Sequence, residues 1–329
     1  MSSEEIIQKD CSFNDVDVVV PCYKAAEWID NFIETMLLVV EINWRLIVRD
    51  DDSNDSTLEK LRAWRDRLGT RILLLDDTNP KKLGLIGNYN AVLSASTSMW
   101  VFTADPDDVW LPQHVPLIMK AINLSETTWG INLPMAIGSD GVVVDAQLKP
   151  IADSYWMWSR ILPRQNPKIP KIAMESAALG STMAVNRALL STALPLPPQA
   201  AYQDWWLAMV ASAFGRLTLL DQPTILYRRH SINATNSPYS SSLVRGLLRF
   251  LTAPNVARHR LKFLINQAAK QSYEFHTRYH EKLSPKDNRA LIDLSSIQKF
   301  GFVQRRLIII KNELWFGYLL KNIGLMLLL

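Results

Sequence analysis

Two clusters of aspartates are the residues of this sequence best placed to do chemistry. One occupies residues 50–52 after an apolar run, and the other is Asp-Pro-Asp-Asp at residues 105–108 after a second apolar run. Crowded carboxylates repel one another unless cations or hydrogen-bond donors receive them. In an extended segment, Asp105 and Asp107 face the same side, which suits Mg²⁺ or Mn²⁺ holding a diphosphate. Taken singly, the clusters also fit a helix N-cap and a solvated turn.

Two further motifs combine ionisable and aromatic side chains. Asp204 precedes Trp205 and Trp206 at the start of an apolar helix. Desolvation there would raise the pKa of the carboxyl group and suit a general base, while the alternative is an N-capping aspartate beside two core tryptophans. Arg229 suits pairing with diphosphate charge, and His230 suits contact with a metal or phosphate, although a lone histidine is more often simply hydrogen-bonded.

The spacing of apolar residues predicts the elements that carry these motifs. Apolar runs predict strands, and helical periodicity predicts helices between them; the strands fall at residues 16–20, 45–48, 72–75 and 100–103. This alternation predicts a mostly parallel sheet with helices on both faces, in which ligands bind beyond the carboxyl ends of the strands. Both aspartate clusters follow such ends. After residue 123 the pattern loosens into short β-like pieces, which suggests a substrate-facing subdomain.

Length and composition limit the classes of function. The chain has 329 residues, 48% hydrophobic and 21% charged, which is enough for one large or two modest folded domains. A net charge of +4 is too small to indicate nucleic-acid binding, which would need a concentrated basic stripe. Two cysteines cannot form a disulfide framework, and residues 1–10 are acidic and polar rather than signal-like. We therefore expect a cytoplasmic location.

The C-terminal region is predicted as a helical extension. From residue 243 onward basic residues, among them Arg245 and Arg249, alternate with apolar ones. The tail over residues 307–329 is strongly apolar but contains Lys311 and Lys321. Such charges argue against a spanning helix, which needs roughly 20 predominantly apolar residues. Contact with a membrane surface and ordinary packing or oligomerisation both stay open for this tail.

The succession of motifs resembles one protein family. A strand ending in Pro21 and Tyr23, an aspartate run, Asp-Pro-Asp-Asp, Asp-Trp-Trp and Tyr-Arg-Arg-His follow one another between about residues 16 and 233. This order resembles the family 2 glycosyltransferases of the GT-A fold, and within them bacterial rhamnosyltransferase-like members. The resemblance implies a GT-A (Rossmann-like) α/β domain at residues 1–240. We divide it into a nucleotide-binding half at about 15–122 and an acceptor-side half at about 123–240, followed by the helical, basic and apolar extension at 241–329.

The resemblance also implies a role for individual residues. Asp204 matches the catalytic base, and Asp51 matches a residue that binds the pyrimidine base. The implied nucleotide-sugar contacts are Pro21, Tyr23, Asp51, Asn88, Asp105 and Arg229. The implied metal ligands are Asp105, Asp107 and His230, and the implied acceptor-side residues are Gly180, Met183, Trp205 and Trp206. One departure is Asp52, which stands where the family usually has glycine or another small residue.

The implied activity is inverting, metal-dependent transfer of a sugar to a glycan hydroxyl. The donor would be dTDP-rhamnose or a UDP-hexose, the cofactor Mg²⁺ or Mn²⁺, and the acceptor a glycan or lipid-linked glycan of bacterial surface polysaccharide (O-antigen or capsule) assembly. The resemblance and the basic, apolar C-terminal region together favour an acceptor at the cytoplasmic face of the inner membrane, where peripheral attachment is one of the two alternatives left open for the tail. Two alternatives stay open: a non-catalytic sugar-nucleotide-binding partner in a polysaccharide assembly complex, and a sugar nucleotidyltransferase. The latter normally has a glycine-rich phosphate loop, which residues 21–24 do not provide.

Overall fold

The helices and strands of a computed structural model are described for residues 15–79, 81–230 and 254–328. The strands are β1 (Asp15–Cys22), β2 (Asn43–Asp50), β3 (Ile72–Leu75), β4 (Trp100–Thr103), β5 (Val109–Trp110), β6 (Met135–Asp145), β7 (Pro150–Ala152), β8 (Ala184–Asn186) and β9 (Arg216–Arg229). The helices are α1 (Ile29–Leu37), α2 (Thr57–Leu68), α3 (Gly84–Ala95), α4 (His114–Trp129), α5 (Tyr155–Ser159), α6 (Ile169–Met174), α7 (Arg187–Ala193), α8 (Gln203–Phe214), α9 (Pro254–Tyr279), α10 (Pro285–Ser295), α11 (Phe302–Lys311) and α12 (Leu319–Leu328). The four strands predicted from apolar runs are all present, and β3 and β4 have the predicted bounds.

The strands of the described residues form one mixed sheet in the order β3-β2-β1-β4-β8-β6-β9-β5, with β7 paired to β6. The first four strands are parallel to one another. β8 is antiparallel to both β4 and β6, and β6 runs parallel to β9. The predicted α/β fold is confirmed, and the antiparallel pairs that β8 and β7 make lie after the first four strands of the sheet.

The central strand β1 contains an uninterrupted apolar run over Val18, Val19 and Val20. Its residues alternate between the two faces of the sheet. Val18 and Val20 pack with Phe32 of α1 on one face, whereas Val19 packs with Val92 of α3 on the other. A parallel strand covered by helices on both sides is buried throughout, so the run has no polar alternation.

The C-terminal helix α9 packs onto helices α7 and α8 and the segment between them. The Gln271 side chain of α9 accepts a hydrogen bond from Ala201 N–H at 2.9 Å. The Tyr279 hydroxyl donates to the Thr192 carbonyl at 2.8 Å, and Phe275 packs against the Trp206 ring with centroids 5.3 Å apart. These contacts place α9 directly behind the segment that carries Asp204.

Several sequence predictions fall outside the described residues. They concern the polar segment 1–10, the domain boundary at residues 240 and 241, the start of the helical extension at residue 243, and Arg245 and Arg249. The predicted domain division therefore stays a prediction. Across the described ranges, none of the helices combines the length and the apolar character that crossing a membrane requires.

Candidate active site

A cavity of about 880 Å³ lies at the carboxyl ends of the parallel strands. Pro21, Asp51 and Asp105, which stand at or just after the ends of β1, β2 and β4, all contribute to its wall. The other predicted site residues that line it are Tyr23, Asn88, Asp107, Gly180, Asp204, Trp205, Arg229 and His230. The fold thus brings together residues that lie far apart in the chain.

Met183 and Trp206 are the two predicted acceptor-side residues that do not line this cavity. Both side chains are fully buried in the core. The Met183 carbonyl accepts a hydrogen bond from Thr103 N–H at 2.8 Å, which joins the segment before β8 to β4. The Trp206 indole donates to the Ala193 carbonyl at 3.2 Å, whereas Trp205 faces the cavity and donates to the Ile172 carbonyl at 2.5 Å.

Asp204 stands in the first turn of α8, where its carboxylate meets backbone donors. Trp205 N–H donates to Oδ1 at 2.6 Å, and Gly180 N–H also donates to the carboxylate. Burial raises the pKa of Asp204 to about 6, and the backbone donors oppose this rise. A carboxylate with such a pKa is mostly ionised at neutral pH yet a better proton acceptor than an exposed aspartate, as a general base requires.

Gly180 approaches the Asp204 side of the cavity closely. A Cβ atom at Gly180 would lie 2.6 Å from Nε2 of Gln203 and 3.4 Å from Oδ2 of Asp204. Any larger residue would therefore displace the Gln203 amide beside the candidate base. This crowding gives a physical reason for glycine at a position that the sequence assigned to the acceptor side.

Asp105 receives a hydrogen bond that sequence reasoning missed. The Tyr89 hydroxyl, from α3, donates to Asp105 Oδ1 at 2.8 Å. The pKa of Asp105 is raised to about 7, mainly by burial and then by the charges of Asp107 and Asp204, while the hydrogen bond from Tyr89 opposes the rise. This crowding of negative charge is what a bound cation would relieve.

Asp107 lies against His230, which the end of β9 brings across the cavity. The distance from His230 Nε2 to Asp107 Oδ2 is 2.8 Å. Arg228 fixes the same turn, because its Nε donates to the Asp107 carbonyl at 2.7 Å and its backbone N–H donates to Asp108 Oδ1 at 2.9 Å. The His230 ring stacks on Trp28 with centroids 5.4 Å apart.

The predicted metal ligands fit a cation that the substrate helps to coordinate. Across residues 15–79, 81–230 and 254–328 there is no group of three or more His, Cys, Asp or Glu side chains arranged to hold a metal by themselves. Asp107 and His230 do stand in contact, with Asp105 in the same wall. Mg²⁺ is commonly bound through one or two carboxylates together with substrate phosphates, and this donor set matches that pattern.

Asp51 and Asn88, which the sequence assigned to nucleotide-sugar binding, are both buried in the cavity wall. Asp51 accepts hydrogen bonds from Leu83 N–H at 2.6 Å and Gly84 N–H at 2.9 Å, so its carboxylate fixes the start of α3. The Asn88 amide donates to the Cys22 carbonyl at 3.2 Å. Both residues are therefore rigid parts of the wall.

The other two residues of the first aspartate run have structural surroundings. Asp50 accepts from the Ser53 hydroxyl at 2.6 Å and from Ser53 N–H at 2.9 Å, which closes the turn after β2. Asp52 has φ +59°, in the left-handed region. Aspartate tolerates that conformation better than most residues, and glycine adopts it most readily. This backbone accounts for the one departure from the family pattern.

Part of the cavity wall comes from helices α9 and α12 and from the segment between α11 and α12, which the sequence did not place at the site. The contributing residues are His259, Phe263, Leu264, Phe316 and Lys321. Lys321 Nζ pairs with Glu175 Oε1 at 2.5 Å, and Glu175 also lines the cavity. No local signal marks these residues, because their role depends on α9 and α12 folding back onto α6.

Comparison with known proteins agrees with the fold. Residues 17–133 match the model of glycosyl transferase family 2. The UDP-Glc:alpha-D-GlcNAc-diphosphoundecaprenol beta-1,3-glucosyltransferase WfgD of Escherichia coli is 34% identical over 102 residues, which are 31% of this chain and 38% of that protein. The chain spans roughly two fifths of the length of the curated relatives that it matches.

Two solved structures share the fold. The S. aureus TarS 1-349 in complex with UDP-GlcNAc has a TM-score of 0.53 and 16% identity, over 91% of this chain and 89% of that one. The mannosyltransferase PcManGT from Pyrobaculum calidifontis, in complex with GDP-Man and Mn2+, has a TM-score of 0.50 and 14% identity, over 94% and 83% of the two chains. The GT-A fold is thereby confirmed. Residues 17–133 are therefore similar to glycosyl transferase family 2, and the E. coli relative is a glucosyltransferase.

Proposed function

We propose that the protein is an inverting, metal-dependent glycosyltransferase that moves a sugar from a pyrimidine nucleotide-diphosphate donor to a glycan hydroxyl. The observation that carries the proposal is one cavity that holds Asp204, with its raised pKa, together with the Asp107–His230 pair. A proton acceptor and a diphosphate-binding cluster are the two components that a single displacement at an anomeric carbon requires.

The chemistry begins at the acceptor hydroxyl. Asp204 takes the proton as the oxygen attacks the anomeric carbon from the side opposite the leaving diphosphate, so the new bond has inverted configuration. The transition state resembles an oxocarbenium ion, as in glycoside hydrolysis. Most of the acceleration therefore comes from positioning and from charge stabilisation. Gly180 N–H and Trp205 N–H orient the Asp204 carboxylate for this transfer.

The leaving group is the nucleoside diphosphate. Asp107 and His230, with Asp105 nearby, are the residues that would hold Mg²⁺ or Mn²⁺, which when bound supplies positive charge to the departing phosphate oxygens. Arg229 lines the same cavity and would contribute a second cationic group. Pro21, Tyr23, Asp51 and Asn88 would bind the nucleoside, with uridine and thymidine both accommodated by a carboxylate acceptor.

The acceptor that we propose is a lipid-linked glycan in bacterial surface polysaccharide assembly. The support is the E. coli relative, whose name gives a diphosphoundecaprenol-linked sugar as its substrate. Trp205, Tyr155 and Phe263 add aromatic surfaces to the cavity on which a sugar ring stacks. A rhamnosyl donor rests on the order of motifs alone, so we propose dTDP-rhamnose and UDP-hexoses as equal candidates.

We further propose that the C-terminal helices rest on a membrane surface. Several apolar side chains of these helices are exposed: Phe302, Val303, Leu307 and Ile310 on α11, and Leu319, Ile323 and Leu327 on α12. Arg305, Arg306 and Lys311 flank them on α11. Apolar side chains with adjacent cations suit the interface of an anionic lipid layer.

A panel of nucleotide sugars tests the proposed activity. Purified protein is incubated with UDP-hexoses and dTDP-rhamnose, with and without Mn²⁺, and release of nucleoside diphosphate is followed by mass spectrometry. Sustained release that depends on Asp204 supports the enzyme. Binding without release would support the non-catalytic partner, and formation of a nucleotide sugar from a nucleoside triphosphate and a sugar phosphate would support the nucleotidyltransferase.

A further inference from the structure

Arg49 is a buried cation at the nucleotide end of the cavity, and the proposed mechanism gives it no role. It lies near the end of the core strand β2, where the preceding residues Leu46, Ile47 and Val48 are fully buried apolar side chains, and it is fully buried itself. A charge withdrawn from water is costly unless partners compensate for it. An arginine at this position therefore calls for a specific set of partners.

The Arg49 guanidinium joins three segments of the nucleotide end. Nη1 donates to Asp51 Oδ1 at 3.0 Å and to Asn88 Oδ1 at 3.1 Å. Nε donates to Asp76 Oδ2 at 2.8 Å, and Nη2 donates to the Lys81 carbonyl at 2.5 Å. One side chain thus fastens β2, the segment after β3 and helix α3 to one another. Two of its partners, Asp51 and Asn88, line the cavity.

These bonds restrict what the Asp51 carboxylate can bind. Oδ1 accepts from Arg49 and from Leu83 N–H, and Oδ2 accepts from Gly84 N–H. An ionised carboxylate has about four acceptor positions. Among the described residues three are taken, so about one acceptor position is left, on Oδ2. Such a position binds an N–H donor and repels another acceptor.

We propose that Arg49 is a positioning residue for nucleobase selection. It holds Asp51 so that the remaining acceptor position faces the base, which favours uracil or thymine, whose N3 carries a proton, over cytosine, whose N3 is an acceptor. Because Arg49 also binds the Lys81 carbonyl, it keeps the Leu83 and Gly84 donors in register with the same carboxylate. This inference rests on the proposed function, since it takes Asp51 as the base contact.

Calorimetric titration of the full-length protein with UDP, dTDP and CDP in Mn²⁺ tests the inference. The wild type should bind UDP or dTDP at least about tenfold more tightly than CDP, because one good hydrogen bond is exchanged for a repulsive contact. In Arg49→Met the preference should fall below about threefold. Arg45→Met is the matched control: Arg45 lies on the same strand and pairs with Asp17 at 2.8 Å, and it does not line the cavity. Its base preference should equal the wild type.

A double-mutant cycle separates positioning from general destabilisation. If Arg49 acts through Asp51, then Arg49→Met has no further effect on the UDP-to-CDP affinity ratio in an Asp51→Asn background. Should Arg49→Met not fold, Asp76→Asn replaces it. The Asp76 side chain is about half exposed, and removing its charge weakens its interaction with Arg49 Nε while the buried partners of Arg49 stay in place. A partial loss of base preference in folded Asp76→Asn protein is then expected.

The outcomes distinguish this inference from the proposed function. Absence of nucleoside-diphosphate binding by the wild type would overturn the proposed function. Nucleotide binding without preference for UDP or dTDP over CDP, or a preference that survives both Arg49→Met and Asp76→Asn, would overturn only the role of Arg49. An equal loss of affinity for all three nucleotides would show that Arg49 is merely structural.

Discussion

The backbone N–H of Gly180 donates to the carboxylate of Asp204, and the absence of a Cβ atom at Gly180 leaves room for the neighbouring Gln203 amide. The candidate base is therefore oriented by a residue from an earlier segment of the chain. Two segments, the turn before β8 and the first turn of α8, must keep their spacing for this contact to form.

Gly180→Ala should lower transfer by roughly tenfold or more while the protein stays folded. The added methyl group would lie 2.6 Å from Gln203 Nε2, so the amide must move beside Asp204, and small displacements near a reacting group are costly to rate. Gly138→Ala is the matched control, since its Cβ would meet only ordinary contacts at 3.5 Å and beyond. Equal turnover for the two variants would contradict the orienting role.

Asp204→Asn should abolish transfer and retain nucleoside-diphosphate binding, measured by calorimetry. The asparagine amide fills the same space but cannot accept the hydroxyl proton. In the wild type, the rate should rise with pH through about 6, where Asp204 loses its proton. Wild-type turnover in Asp204→Asn would exclude Asp204 as the base.

The same substitution has a stability effect that does not depend on activity. Burial raises the pKa of Asp204 to about 6 from 3.8, so between these values the native state binds the proton more tightly than the unfolded chain. The stability of the wild type therefore falls as pH rises through this window. The asparagine side chain of the variant carries no charge at any pH. The difference in Tm, variant minus wild type, should therefore be larger above this pH window than below it. Thermal unfolding at several pH values measures this difference.

Asp107→Ala should remove the metal dependence of nucleotide binding. Asp107 and His230 are in direct contact in the cavity wall. His230→Gln should weaken metal-dependent UDP binding by roughly 10- to 100-fold, the range typical for residues that hold or orient a metal ligand. His280→Gln, at an exposed histidine of the C-terminal extension, is the control. If wild-type affinity and rate are the same with Mn²⁺ and with EDTA, the protein does not use a metal in this way.

Lys321→Met should lower the free energy of unfolding by about 1–3 kcal/mol, because it removes the cation beside Glu175 Oε1 in a mostly buried position and leaves only Gly317 N–H as a donor to that carboxylate among the described residues. The two side chains are only 16% and 12% exposed. Lys286→Met breaks the Lys286–Glu313 pair, whose side chains are more than half exposed, and should change stability much less than Lys321→Met does. Urea titration measures both, and equal losses would show that the Lys321 pair contributes no more than a surface ion pair.

Paired substitution of Leu307 and Ile310 by serine should weaken binding to anionic vesicles by roughly tenfold or more. Each fully buried apolar side chain contributes about 1.5–3 kcal/mol, and both residues are exposed on α11. Sedimentation with phosphatidylglycerol vesicles measures the bound fraction, with phosphatidylcholine vesicles as the charge comparison. Leu124→Ser, at an exposed leucine of α4, is the control. Unchanged vesicle binding, or no binding by the wild type, would contradict the membrane proposal.

The sequence by itself determined the elements of the first half and the strand ends at which the cavity lies. Local periodicity reports which residues are buried, so the bounds of β3 and β4 followed from apolar runs. The acidic clusters after β2 and β4 were assigned to one edge because parallel strands present their carboxyl ends together. Arg49 was detectable in principle, since a cation in a buried strand requires partners.

Only the tertiary structure decided which side chains meet. Trp205 and Trp206 are adjacent in α8, and successive helical residues point about 100° apart, so one faces the cavity and the other the core. Which of the two faces the cavity depends on how α8 packs against α6, α7 and α9, and no local sequence pattern encodes that packing. The same holds for the Tyr89–Asp105 bond and for the wall that Phe263 and Lys321 add to the cavity. Periodicity identifies a buried residue, but its partner is selected by contacts between segments far apart in the chain.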